Sequence, residues 1–320
     1  MALLTTIGAV AMGFLIAFLV GGGALPVLRR LQFAQRAYED APPAHQAKSG
    51  TPTMGGIVFV AALVPLLFAW NAPFGRQLFA VVAVCAGIGL IDDLLAIAKG
   101  RNRGLQARTK YLLSALAAVL FLDAVSASYG FFPRDVLFHA GTFAVVVPHW
   151  AWLILGILAM TGTMHAVNLT DGLDGLAAGT MIGPLAVLAY IGAQTLLRAP
   201  AEAALEGLGA CVGFLIYNRH PAKLFMGDTG SLALGALLSA VAILEGEMLL
   251  LLVIGGVYVA EALSVILQVS YFKITHGKRI LRMSPLHHHF ELSGWSETRV
   301  TTRFWIASLV CSLLGLAIVR

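Results

Sequence analysis

Acidic side chains recur at the ends of long apolar stretches in this sequence. Asp92 and Asp93 close one stretch, and further carboxylates stand beside others at Asp171, Asp174 and Asp228. A carboxylate next to a long apolar stretch is costly unless it pairs, meets water or has a function. If the five converge, they form a site for a divalent cation and a phosphate, because Mg²⁺ takes hard oxygen ligands and shares them with phosphate oxygens. Five separate structural roles are the alternative.

Asp92 and Asp93 are adjacent and do not share a helix face, so the pair predicts two different roles. One carboxylate could approach a metal while the other accepts a proton. Two interfacial carboxylates that merely end a helix are the simpler interpretation.

The run from Asn168 to Gly175 carries polar side chains at Asn168, Asp171 and Asp174. This spacing places all three on one face if the run is helical. Gly172 and Gly175 would let backbone amides approach a ligand, and a nucleotide would fit such a surface. Helix capping around a short turn is the alternative.

The segment from Asn218 to Ser231 is the densest polar stretch, and its Asp228 directly precedes an apolar helix. Asp228 could cap that helix or hold a metal at its positive end, where phosphate also binds well. The four residues from Asp228 to Ser231 match the aspartic-protease signature. Soluble members are β proteins, and the intramembrane type needs a second aspartate deep in a span, so a protease is disfavoured.

Three consecutive histidines, His287, His288 and His289, lie in the longest connection. They suit an anionic phosphate or carboxylate, with one imidazole available for proton transfer near neutral pH. Zinc is disfavoured because three consecutive side chains cannot all face one ion and no cysteine accompanies them.

Two further features bear on function. The stretch from Lys48 to Gly56 combines a lysine, hydroxyls and glycines, which suits phosphate, although a plain turn explains it equally well. Glu261 is predicted near the middle of an apolar run, where it needs a partner that the sequence does not identify.

The composition of the chain predicts the secondary structure that carries these residues. Apolar residues make up 59% of the 320 residues and charged residues 12%, which excludes a soluble globule. The sequence predicts an all-α integral membrane protein, a single domain over residues 1–320 with about ten transmembrane helices. The predicted spans are centred on residues 3–25, 54–70, 77–98, 111–128, 150–169, 174–197, 201–217, 229–244, 248–272 and 303–319.

Basic residues predict the orientation. Seventeen of the 21 lysines and arginines fall in alternate connections, around residues 29–48, 99–110, 219–223 and 273–303. The positive-inside rule places these connections in the cytosol, both termini in the periplasm and the acidic cluster at the cytosolic face. Topology therefore accounts for the net charge of +5, and no nucleic-acid partner is implied.

Together, these motifs resemble the polyprenyl-phosphate N-acetylhexosamine-1-phosphate transferase superfamily. The shared features are the paired aspartates, the run from Asn168 to Gly175 and the loop at Gly227 and Asp228. The stretches Pro285 to Leu292 and Gly50 to Gly56 resemble the branch that handles muramoyl-pentapeptide nucleotides. The likeness runs from about residue 20 to the C-terminus.

The resemblance implies a multi-pass enzyme of the bacterial inner (cytoplasmic) membrane, commonly a homodimer. It implies Mg²⁺-dependent transfer of phospho-MurNAc-pentapeptide from UDP-MurNAc-pentapeptide to undecaprenyl phosphate in the lipid bilayer, giving lipid I and UMP. A direct attack and a two-step route through an aspartyl-phosphate both remain open.

The resemblance also implies residue roles. Asp228 is the expected metal ligand and Asp92 the base that deprotonates the lipid phosphate; Asp93 and His288 complete the catalytic set. The expected nucleotide site, in which Phe225 stacks on uracil, contains Asn168, Asp171, Gly172, Leu173, Asp174, Asn218 and Phe225. Other polar positions of the cleft are Lys48, Thr53, Lys110, His287 and His289.

One departure concerns the loop after Asp92. The superfamily often has basic residues where this chain has Ala96 and Gly100, so the resemblance implies no nucleotide contact from these two positions. Lys99, Arg101 or Arg103 could supply the charge.

Three other functions are alternatives for such a sequence. The nearest is transfer of GlcNAc-1-phosphate from UDP-GlcNAc, against which the stretch His287 to Leu292 argues. A proton-coupled secondary transporter would place its binding residues near the membrane midplane, where Glu261 alone is predicted. A noncatalytic lipid-binding scaffold would not need the Mg²⁺ constellation.

Overall fold

A computed structural model describes residues 3–31, 50–68, 74–100, 104–128, 135–194 and 197–319. Lys48, Arg101 and Arg103 lie outside the described residues. The helices are α1 (Leu3–Arg30), α2 (Ile57–Ala62), α3 (Gly75–Ala98), α4 (Ala107–Ser126), α5 (His149–Thr170), α6 (Leu176–Gln194), α7 (Arg198–Asn218), α8 (Gly227–Leu244), α9 (Leu251–Ile254), α10 (Gly256–Ile274), α11 (Leu286–Leu292) and α12 (Glu297–Val319).

Nine of these helices are long and apolar enough to cross a membrane, counting the described residues alone. They are α1, α3, α4, α5, α6, α7, α8, α10 and α12. The chain is therefore a mostly helical, multi-pass membrane protein. The count of about ten spans and the orientation of the termini stay predictions.

The remaining predicted span, at residues 54–70, is not one continuous α-helix over the residues described within it. It consists of α2 and a 3₁₀ helix, Val64–Phe68. Pro65 lies where the two meet, and a proline inside a helix removes a hydrogen-bond donor and clashes with the preceding turn. A second predicted run, at 248–272, is divided at Gly255 into α9 and α10.

A short β-hairpin lies within the mostly helical fold and was not predicted. Strands β1 (Val136–Ala140) and β2 (Phe143–Val146) pair antiparallel between α4 and α5. Aromatic and β-branched residues favour extended backbone here, and Gly141 supplies the positive φ of +55° that the turn needs. A search for runs of about 20 apolar residues does not detect so short an element.

Helix α8 forms the centre of the molecule, and nearly all of its residues are buried. It packs against α3, α5 and α7. Gly89 of α3 lies directly against the backbone of Asp228 and Thr229, where a side chain would not fit. Because Gly89 precedes Asp92 by one turn, this close approach brings the end of α3 to the start of α8.

The outer helices present apolar side chains on their free surfaces. Ile306, Leu309 and Leu313 of α12 are each more than half exposed, as are Ile266 and Leu267 of α10. Such surfaces are unfavourable in water and are satisfied by lipid. They agree with the assignment of these helices as membrane spans.

Candidate active site

Four helix ends meet around one lysine. Lys110, near the start of α4, forms an ion pair with Asp228 Oδ2 at the start of α8. Its Nζ also lies 3.1 Å from Asp92 Oδ1, near the end of α3. Asn168, near the end of α5, donates from Nδ2 to Asp228 Oδ1 at 2.8 Å. Residues far apart in sequence thus form one polar cluster, which is what the sequence predicts for its carboxylates.

Each carboxylate of the cluster has a defined set of donors. Asp92 Oδ1 accepts the backbone N–H of Leu105 at 2.9 Å in addition to facing Lys110. Asn168 Nδ2 also donates to Ser231 Oγ at 2.9 Å, so its amide is fixed by two residues of the same helix turn. Ser231 follows Asp228 by three positions, and that helical spacing is a signal that could have placed it in the site.

Asp93 points away from Lys110 and caps α8. Its Oδ1 accepts the backbone N–H of Asp228 at 3.1 Å. Its Oδ2 accepts the backbone N–H of Thr229 at 3.0 Å and the Thr229 hydroxyl at 2.7 Å. The first N–H groups of a helix have no partner within the helix, and Asp93 satisfies two of them. The two adjacent aspartates therefore differ in environment, as their positions on a helix predict.

The residues present fit a hard divalent cation. Asp92 and Asp228 already share one positive charge, the ammonium of Lys110, and carboxylate oxygens are ligands that Mg²⁺ prefers. Thr53 lies beside Gly227, and its hydroxyl is buried without a hydrogen-bond partner among the described residues. A buried hydroxyl without a partner, beside the residue that precedes Asp228, is a polar atom that a ligand at this site could satisfy.

Asp171 and Asp174 lie in the turn between α5 and α6, but they face different surroundings. Burial raises the pKa of Asp171 well above its usual range, and the negative charges of Asp228, Asp93 and Asp174 add to the effect. Asp174 is buried, and its Oδ2 accepts the backbone N–H of Ala222 at 3.0 Å.

His220 links Asp174 to the start of α12. Its Nδ1 lies 3.0 Å from Asp174 Oδ2 and 3.2 Å from Glu297 Oε2. Glu297 Oε1 also accepts the backbone N–H of Asp174 at 2.7 Å. This triad joins three separate segments, and His220 and Glu297 are not among the predicted site residues. Nothing in their spacing signals the contact, because it depends on how α12 packs.

Asn218 joins the two loops that form the expected nucleotide site. Its Oδ1 accepts the backbone N–H of Gly175 at 3.1 Å, and its Nδ2 donates to the carbonyl of Leu224 at 3.0 Å. Phe225 follows immediately and is half-buried. Its backbone N–H donates to the carbonyl of Pro52 at 2.8 Å, which ties this loop to the stretch that begins at Gly50.

The three histidines occupy three different environments. His287 is buried, and its Nε2 lies against Gly172. His288 is half-buried, with Nδ1 2.9 Å from Glu291 Oε2. His289 Nδ1 accepts the backbone N–H of Arg282 at 3.1 Å. The contact of His287 with Gly172 brings α11 to the turn between α5 and α6.

The predicted site residues thus fall into connected groups. Asp92, Lys110, Asn168 and Asp228 form the charged cluster, with Asp93 and Thr53 against it. The turn from Asp171 to Asp174 adjoins this cluster through Asp171 and contacts His287 at Gly172, and the next residue, Gly175, donates to Asn218. Leu173 is buried with Leu176 and Val300 in a small apolar cluster.

Comparison with known proteins identifies relatives of this site and fold. A family model described as glycosyl transferase family 4 matches residues 76–246, and one described as phospho-N-acetylmuramoyl-pentapeptide-transferase signature 1 matches residues 48–60. Phospho-N-acetylmuramoyl-pentapeptide-transferases of Desulforamulus reducens and Bacillus subtilis are each 44% identical to the chain. The alignments cover 96% of the chain and 94% of the first protein, and 97% of the chain and 96% of the second.

The structure is that of a polytopic helical membrane protein with an acidic site that contains a lysine. The matched family model assigns the chain to the glycosyl transferases of family 4. Similarity over nearly the whole chain then specifies the branch. The chain belongs to the phospho-N-acetylmuramoyl-pentapeptide-transferase family. Members of this family are phosphoglycosyl transferases of peptidoglycan precursor synthesis.

Proposed function

We propose that this chain transfers phospho-MurNAc-pentapeptide from UDP-MurNAc-pentapeptide to undecaprenyl phosphate, giving lipid I and UMP. The observation that carries the proposal is the placement of Lys110 between Asp92 and Asp228 at the meeting point of four helix ends. Phosphoryl transfer requires a positioned nucleophile and neutralised phosphate charge. A compact set of carboxylates and one ammonium provides the groups for both tasks.

Asp92 is the proposed base. The contacts that the structure shows for its carboxylate fall on Oδ1, from Lys110 and from the N–H of Leu105. Oδ2 then accepts the proton of the lipid phosphate, whose oxygen attacks the β-phosphate of the sugar nucleotide. Lys110 attracts the anionic phosphates and holds Asp92 in place.

Asp228 is the proposed ligand of Mg²⁺. The ion, when bound, supplies positive charge that stabilises the pyrophosphate and the departing UMP. Asn168 orients the Asp228 carboxylate by its hydrogen bond to Oδ1, and Asp93 holds the backbone of the same residue. Thr53 offers its buried hydroxyl beside them.

The loops joined by Asn218 are the proposed nucleotide site. Phe225 is half-buried and presents an aromatic face on which a uracil could stack. The turn from Asp171 to Asp174 borders both this loop and the charged cluster. His287 contacts that turn at Gly172, and His288 and His289 follow it on α11.

The proposed setting is the bacterial cytoplasmic membrane, with both termini periplasmic, the active site cytosolic and the enzyme a homodimer. The distribution of basic residues supports this orientation. A cytosolic site at the membrane surface is where a soluble nucleotide and a lipid phosphate can meet.

The decisive experiment measures UMP release by purified protein in detergent with undecaprenyl phosphate and Mg²⁺. UDP-MurNAc-pentapeptide is expected to be a substrate and UDP-GlcNAc is not. UMP release from UDP-GlcNAc would reassign the substrate. No UMP release from either nucleotide, in protein shown to be folded, would overturn the proposal.

Two variants test the site. Asp228→Ala is expected to abolish release. Asp123→Asn is the matched control, because it removes an exposed carboxylate near the opposite end of α4 from Lys110 and should leave release unchanged. Equal loss in both variants would argue against a specific role for Asp228.

A further inference from the structure

Glu261 of α10 is completely buried and accepts hydrogen bonds from the start of α11. Oε2 accepts the backbone N–H of Leu286 at 2.7 Å. Oε1 accepts the backbone N–H of His287 at 3.2 Å and lies 3.0 Å from Nδ1 of the same residue. The sequence could not identify a partner for Glu261, and the partner is the first of the three histidines.

These contacts determine which ring nitrogen of His287 carries the proton. A carboxylate that already accepts two backbone N–H groups acts as an acceptor at its third contact as well. Nδ1 of His287 is therefore the protonated nitrogen, and Nε2 bears the lone pair. A hydrogen bond to one nitrogen of an imidazole sets the state of the other in this way.

The second nitrogen of His287 reaches the turn between α5 and α6. Nε2 is buried, has no hydrogen-bond partner among the described residues and lies against Gly172. A methyl group at position 172 would occupy the place of Nε2, so the imidazole defines how close this turn can lie to α11. An N–H at this position would have no acceptor within the described residues, and a buried unpaired donor is unfavourable.

Glu261 also influences the neighbouring histidine. The rings of His287 and His288 are in contact, with centroids 4.2 Å apart. His288 is the more exposed of the two and is held on its other side by Glu291. Rotation of the His287 ring would therefore shift both the turn at Gly172 and the imidazole of His288.

We propose that Glu261 is a positioning residue of the active site: it holds His287 in the Nδ1-protonated form, and His287 in turn sets the position of the Asp171–Asp174 turn and of His288. The inference rests on the proposed function for its catalytic consequence. The contact itself does not depend on that function, so the two can be tested separately.

The first test is a measurement of the tautomer. In protein with ¹⁵N-labelled histidine, the signals of His287 are identified by their loss in His287→Asn. Wild-type protein is expected to show a protonated Nδ1 and an unprotonated Nε2. Glu261→Gln leaves one acceptor oxygen for the three donors that the carboxylate accepts, so the preference of His287 for the Nδ1-protonated form should weaken. A protonated Nε2 in the wild type, or the same tautomer preference in Glu261→Gln, would overturn the proposal.

The second test is a double-mutant cycle on the transfer rate. Glu261→Gln should lower kcat by about 10- to 100-fold, a range typical of residues that orient a functional histidine, with a smaller change in KM. If Glu261 acts through His287, the same substitution in a His287→Ala background should change kcat by less than about twofold. Full additivity of the two losses would contradict the proposal.

Two controls separate positioning from general damage to α10. Ser264→Ala removes a buried hydroxyl whose bond goes to the carbonyl of Glu261 within the same helix, and it should retain activity. Glu261→Asp keeps the carboxylate and should recover part of kcat and the wild-type tautomer. If wild-type protein shows the expected tautomer but releases no UMP, the proposed function fails while the assignment of the Glu261–His287 contact stands.

Discussion

The carboxylate of Asp93 accepts the backbone N–H of Asp228, a residue 135 positions further along the chain, at 3.1 Å. The same carboxylate binds the N–H and the hydroxyl of Thr229. Asp93 therefore fixes the start of α8, on which the proposed metal ligand lies. Its neighbour Asp92 instead faces Lys110, so one carboxylate of the pair supports the backbone and the other faces the reactive cluster.

Asp93→Asn should reduce both stability and activity. An amide replaces one acceptor oxygen with a donor, which leaves a backbone N–H of α8 unpaired or repelled. We expect a loss of about 1–3 kcal/mol in the free energy of unfolding, together with a lower kcat because Asp228 is displaced. Thermal unfolding in detergent and UMP release measure the two effects. Unchanged stability would show that Asp93 does not cap α8 in solution.

Lys110→Met should be severely impaired, because it leaves Asp92 and Asp228 without their shared cation. Electrostatic groups at a reacting centre are typically worth about 100- to 1000-fold in rate, and a loss of this order in kcat is expected. Arg108→Met is the matched control, since Arg108 is exposed two positions earlier on the same helix. A similar loss in both variants would point to general attraction of anionic substrates.

Gly172→Ala tests the contact between the α5–α6 turn and His287. The added methyl group would collide with His287 Nε2, and a displacement of about 1 Å at a catalytic centre can cost about 100-fold in rate. Gly162→Ala, on exposed α5 surface with open space around it, should retain activity. Full activity of Gly172→Ala would mean that the turn and α11 can separate without consequence.

Stability should depend on the ionisation of Glu247, which lies beyond the end of α8. Burial raises the pKa of Glu247 to about 8, while a hydrogen bond from His139 acts in the opposite direction. Between about pH 4.5 and about pH 8 the folded state keeps a proton that the unfolded state releases. Stability is therefore full at the acidic end of this window and falls as the pH rises through it.

Glu247→Gln should remove this pH dependence. A shift of one pKa unit corresponds to about 1.4 kcal/mol, so the variant should gain a few kcal/mol relative to wild type at pH 8.5 and little at pH 5. Melting temperatures across this range provide the measurement, with Asp123→Asn as the control for loss of an exposed carboxylate. A constant difference between Glu247→Gln and wild type at all pH values would contradict the shifted ionisation.

Much of the architecture is readable from local sequence. A run of about 20 apolar residues forms a helix because lipid satisfies its side chains and the helix satisfies its backbone, whatever its neighbours. Nine such helices lie among the described residues. Exceptions arise where a local feature interrupts the run, as Pro65 does at the start of the 3₁₀ helix, or where a short extended segment forms the hairpin at Gly141.

The candidate residues are also visible in the sequence, because charge beside a membrane span is costly and invites a functional explanation. Residue type and position at a span end indicate Asp92, Asn168 and Asp228, whereas Lys110 is expected only from the family resemblance. The structure places all four in one cluster.

The different roles of these residues follow from tertiary packing. The sequence contains two adjacent aspartates, but the packing of α3 on α8 at Gly89 makes one a cap and leaves the other beside Lys110. It contains a buried glutamate without a visible partner, and the approach of α11 to α10 supplies His287. Hydrogen bonds between distant segments depend on distances of a few tenths of an ångström, which arise when helices pack and which local spacing does not encode.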